Sequence, residues 1–130
     1  MKRIKTLCFG TLLLFTLNSW SQKINYRPLT DKEYARQELE SALDDNSKNN
    51  YIDGKTVIIK NSLTAISVAE PILFGIYGKE NIVEQKPYEI YLIDNYWIII
   101  GTLPKNYMGG TFLIIIDSRD SKIIKITHGK

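Results

Sequence analysis

The stretch YEIYLIDNYWIIIGTL, Tyr88 to Leu103, decides the fold. Two runs rich in tyrosine, tryptophan and isoleucine flank Asp94-Asn95, a two-residue link of the kind that closes a tight hairpin. The runs predict strands over Tyr88–Ile93 and Tyr96–Leu103. Downstream, Thr111–Asp117 and Lys122–His128 flank SRDS and predict a second hairpin. Trp97–Ile100 and Phe112–Ile116 are apolar at every position, so the central strands are expected to be covered on both faces. Lys122–His128 alternates instead, which groups Ile124, Ile126 and His128 on one side. The sheet either curls into a cone around its own side chains or leaves a concave face partly open to a ligand or partner.

Upstream the periodicity changes from two to between three and four. Thr30-Asp31-Lys32-Glu33 reads as a capping box, and Tyr34, Leu39, Ala42 and Leu43 form the thin stripe of a surface helix. Asp44–Lys55 is a polar loop, and Thr56–Lys60 is a short β-branched run with strand character. Asn61 or Ser62 can cap a second helix whose apolar positions, Leu63, Ile66, Ala69, Leu73, Ile76 and Tyr77, line one face. Pro71 predicts a kink within it, and Gly78 a stop. From there on the chain reads as strand. The order of helix, helix and antiparallel meander predicts an α+β domain, two helices packed on a curved sheet.

The N-terminus has a different composition. Lys2, Arg3 and Lys5 precede an apolar run from Leu7 to Leu17, and Ser19-Trp20-Ser21 supplies small residues for cleavage. This predicts a secretory leader over residues 1–21, removed after Ser21, and a single domain over 22–130. The apolar run is too short to span a bilayer, and Cys8 stands at its start instead of at its end, so neither a stable membrane anchor nor lipidation is expected. The chain has 17 basic and 14 acidic residues, and three of the basic ones lie in the leader. The mature protein is then electrically balanced, which argues against nucleic acid as a partner. It also lacks cysteine, which removes disulfides, thiol nucleophiles and thiolate metal sites.

Little of the remainder can do chemistry. His128 is the only histidine, no nucleophile motif accompanies it, and Asp117 with Asp120 reads as turn chemistry. Glu70, Glu84 and Glu89 are not brought together by any visible pattern, and Gly75 and Gly78 fit no phosphate-binding loop. No catalytic residue, cofactor or metal site is expected. Aromatic residues gather in the second half, most of them as core. Tyr107 and Met108 differ, because they sit in the loop between two apolar strands, where exposure suggests contact with a partner.

From Ser62 onward the sequence resembles the bacterial immunity proteins of the nuclear-transport-factor-two-like fold, associated with polymorphic and Rhs-type toxins. The resemblance is carried by Ala65, Ala69-Glu70, Tyr77-Gly78, Lys86-Pro87-Tyr88, Trp97, Gly101, Leu103-Pro104, Gly109-Gly110 with Phe112, and His128-Gly129-Lys130. It implies a cystatin-like cone and a non-enzymatic role: binding a cognate toxin, encoded nearby, and occluding it. With the leader, this puts the expected site of action in the periplasm. Lys105, Asn106, Tyr107 and Met108 are the leading partner-binding candidates, followed by Tyr88 and His128. Two further expectations stay open: a secreted small-ligand binder or isomerase-like or dehydratase-like enzyme using the cone interior, and a homodimer formed through the edge of the last strand.

Overall fold

The computed structural model describes residues 31–129. The expected leader and Thr30 lie outside them. The elements run α1 (Lys32–Asp44), α2 (Ser62–Tyr77), α3 (Lys79–Val83), β1 (Glu89–Ile93), β2 (Tyr96–Ile100), β3 (Phe112–Asp117) and β4 (Ile123–His128). The four strands form one antiparallel sheet in the order β1-β2-β3-β4, which leaves β1 and β4 as its edges. This is the α+β meander that the sequence predicts.

The first hairpin follows from its link. Asp94 and Asn95 both have positive φ, 47° and 68°, the left-handed pair that matches the natural twist of two antiparallel strands. Ile90 then faces Ile99, and Leu92 faces Trp97. In the next ladder Trp97 faces Ile116, and Ile99 faces Ile114. Apart from the exposed edge residue Leu92, those positions form the face toward the core, where Phe112, Ile114, Ile116, Ile99 and Trp97 meet Ala65, Ala69 and Leu73 of α2 and Ile82 of α3. The small alanines let α2 lie close on the sheet. Asn61 caps α2 by accepting from the Thr64 amide at 2.9 Å, as expected.

Several boundaries differ from the sequence reading, each for a local reason. The cap of α1 is Asp31, whose carboxylate accepts from the Tyr34 amide at 3.0 Å. An aspartate one position on does the work assigned to Thr30. Thr56–Lys60 makes no strand, because the Ile58 and Ile59 amides both donate to the one carbonyl of Ser118, a clasp and not a ladder. Ile59 is still buried, and its carbonyl accepts from Trp97 Nε1 at 2.9 Å. α2 runs through Pro71 as one helix. Pro71 and Ser67, whose carbonyl loses the proline's missing donor, are both exposed, so water can replace the bond. α3 was not foreseen. β2 ends at Ile100 and not at Leu103, because Thr102 turns aside and donates to the Gln85 carbonyl at 2.8 Å.

Two corrections concern the faces of the sheet. β3 and β4 shift register between Ile115 and Ile116, which pair with Lys125 and Ile123. The unpaired Ile124 turns outward and is 50% exposed, so it does not join Ile126 and His128. Among the described residues the expected double cover is also missing: Ile98, Ile100, Leu113 and Ile115 are half-buried and lie outside the core cluster. α1 does not cover them, since each of its residues is exposed.

The second turn is held by charge. Arg119 donates through Nε to Asp117 Oδ1 at 2.9 Å and through its Nη2 to the other carboxylate oxygen at 2.6 Å. It also lies over the Tyr96 ring, 5.5 Å from its centre. The Arg119 hydrogen bonds hold the Asp117 carboxyl below its ordinary value of 3.8. A carboxyl depressed by folding contributes stability above its unfolded value, and this is lost as pH falls through the folded one. Asp117→Asn is therefore expected to lose about 1–3 kcal/mol at pH 7. Urea denaturation at pH 7 and pH 3 should show the gap from the wild type narrowing at the lower pH. An equal gap at both would contradict the role given to the ion pair.

Candidate functional site

At one end of the sheet the termini of α2, α3, β2, β3 and β4 surround an open cleft of about 820 Å³. Tyr77, Asn81 and Glu84 form its helical wall. Leu103, Pro104, Tyr107 and Met108 overhang it from the β2–β3 loop, and His128 and Gly129 close it from the end of β4.

The cleft is organised by a residue that sequence reading passed over. Gln85 comes just after Glu84, the C-cap of α3, and is 5% exposed. Its side-chain oxygen accepts from the buried Phe112 amide at 2.9 Å, which fixes the orientation of the group, since an amide hydrogen must face oxygen. Nε2 then has two hydrogens to place. One goes to the Asn81 carbonyl at 2.9 Å and the other to His128 Nε2 at 3.1 Å. His128 Nε2 must accept, so the ring carries its proton on Nδ1 and donates to the Gly129 carbonyl at 2.7 Å. The Tyr77 ring lies against the imidazole at a centroid distance of 5.1 Å.

Two glycines make this packing feasible. A Cβ on Gly101 would collide with the Gln85 side chain and with the Phe112 ring. One on Gly110 would run into the Gly129 backbone, where the loop entering β3 passes close beside the end of β4. Gly110 therefore serves a close approach of two backbones.

The structure divides the six partner-binding candidates. Tyr107 and Met108 line the cleft and are 71% and 100% exposed. Their loop is a turn, the Tyr107 amide donating to the Pro104 carbonyl at 3.0 Å. Lys105 and Asn106 are exposed in the same turn but do not line the cleft. His128 is half-buried in its wall. Tyr88 lies elsewhere: its ring packs edge-on to Phe112 at 5.1 Å and its hydroxyl donates to Glu70 at 3.0 Å. Burial, followed by the Glu70 carboxylate, holds the Tyr88 hydroxyl well above its ordinary range. Lys86 completes this group through an ion pair with Glu70 at 2.8 Å. Asn81, Glu84 and Gln85 were missed because each is an ordinary polar residue in sequence. A single sequence held no signal for them, because the need for glycine at 101 and 110 shows only once the packing is known.

This arrangement offers a semi-rigid concave end with apolar side chains on its rim and no assembled acid–base pair. No group of three or more potential metal-ligating side chains occurs among the described residues. The profile of the NTF2 fold immunity proteins matches residues 64–130, which include the whole sheet and every wall of the cleft. The chain belongs to this family. It is 31% identical over 124 residues to the "Uncharacterized protein YhhH" of Escherichia coli K12, covering 92% of this chain and 84% of that one. It is 32% identical over 73 residues to the "Uncharacterized protein YbbC" of the same organism, covering 55% of this chain and 60% of that one. No solved structure matches.

The Gln85 network carries a direct expectation. Gln85→Leu keeps the bulk but leaves the Phe112 amide buried and unpaired and removes the donor to His128. It should cost about 1–3 kcal/mol in urea denaturation and broaden or move the His128 ring signals in an NMR spectrum. Unchanged stability with unmoved His128 signals would remove Gln85 from its central position.

Proposed function

We propose that this protein binds a cognate toxin, encoded beside it, and neutralises it by covering the surface the toxin works with. It acts after export, in the periplasm. Family membership supports the immunity role, and the leader read over residues 1–21 supports the compartment, because an inhibitor must stand where its target does damage. The observation that carries the proposal is the Tyr107-Met108 pair, two large side chains exposed on a turn above a concave wall held by buried hydrogen bonds. Such a surface is preorganised, so little conformational freedom is lost on binding. Lys105 and Asn106 extend it, and His128 contributes through the wall. Tyr88 belongs to a separate apolar patch with Ile66, Pro87 and Ile90 and is the weaker candidate.

The role is non-enzymatic in this reading. Side chains fill the space between α2 and the sheet, with Leu73, Ile82, Ile99, Phe112, Ile114 and Ile116 all fully buried. An isomerase or dehydratase working inside the cone would need room and a free base there. The one histidine gives its Nε2 to Gln85 instead.

Two experiments bear on this. Export of the neighbouring toxin should arrest growth, and co-export of this protein should restore it with the two proteins co-purifying. Failure of both rescue and co-purification overturns the proposal. Tyr107→Ala with Met108→Ala should weaken toxin binding by about 30-fold or more, as loss of a binding hot spot does. The melting temperature should stay within a few degrees of the wild type, because both side chains are exposed.

A further inference from the structure

We propose that the cleft is the seat of an arginine side chain presented by the partner. This deepens the reading above and rests on it in taking the cleft as the partner's docking site. Among the described residues, Glu84 is the only carboxylate that lines the cleft, and no lysine or arginine lines it. The Glu84 carboxylate is exposed and makes no ion pair among the described residues. Glu84 sits at the C-cap of α3, beside carbonyl ends that favour a cation over an anion. Glu80, one turn earlier, adds negative field on the same side of the helix.

The remaining walls select among cations. Tyr77 and Tyr107 line the same cleft as Glu84, and Leu103, Pro104 and Met108 supply apolar surface. A guanidinium stacks on aromatic faces, lays its methylene stem along apolar groups and offers a planar fork to a carboxylate. A lysine ammonium is more strongly hydrated and lacks the planar face. An acidic or purely aliphatic anchor would leave Glu84 repelled or desolvated without compensation.

The probes are N-acetyl-arginine N-methylamide and its leucine and glutamate counterparts, titrated into the 15N-labelled protein and followed by amide shifts. The arginine probe is expected to move the signals of Tyr77, Glu84, Tyr107 and Gly110 saturably, more tightly than either counterpart. Glu84→Gln should weaken it about threefold to fivefold, the range an exposed ion pair supplies, without moving the melting temperature. The proposal is overturned if leucine binds as well as arginine, if Glu84→Gln leaves arginine binding unchanged, or if no probe moves the cleft signals. A toxin arm separates this result from the function. Should the toxin bind wild type and Glu84→Gln equally, the arginine seat falls while immunity stands. Should arginine bind as described while no toxin is neutralised, the seat stands and immunity falls.

Discussion

One buried amide holds the functional end of this molecule together. The Gln85 side chain joins the last turn of the helical layer to the start of β3 and the end of β4 with three hydrogen bonds, using both of its N–H donors and its carbonyl oxygen. Its backbone carbonyl adds the tie to Thr102 that ends β2. A buried polar network of this kind is stable only when complete, since each unmet partner carries its full desolvation cost. The two ends of the β2–β3 loop, the end of β4 and α3 are therefore fixed relative to one another. Everything suggested about recognition depends on that rigidity.

The rest of the structure divides into a packed half and an open one. α2 lies on the sheet through alanines at 65 and 69, and the space between is filled by isoleucine, leucine and phenylalanine. The opposite sheet face and the whole of α1 remain in contact with solvent. An immunity protein has no need of an interior cavity, but it does need a surface that keeps its shape. Investing the burial in one face and the polar ties in one end supplies that surface.

How much of this was legible in the sequence depended on whether the cause was local. The hairpins were readable because Asp94-Asn95 imposes its own turn, and α2 was readable because its apolar spacing reports the face it buries. The bulge that expels Ile124 depends on how SRDS closes, which composition does not show. α1 was read as a helix with a thin stripe, and its exposure at every position follows from that thinness. For the site, exposure of Tyr107 and Met108 could be inferred from their place between two apolar strands. Gln85 could not be found, because its importance lies in contacts with residues 27 and 43 positions away, and one sequence carries no sign of such distant pairing. Gly101 and Gly110 make room for a side chain and for a crossing backbone, which their neighbours in sequence do not reveal.

The central claim is that the partner sits on this end of the molecule. Hydrogen–deuterium exchange of the protein alone and in complex with the proposed cognate toxin tests that claim most directly. The account predicts new protection over residues 103–110 and 79–85, with little change on the outward face of β2 and β3. Protection confined to that outward face, or to α1, with the 103–110 loop exchanging as in the free protein, would contradict it.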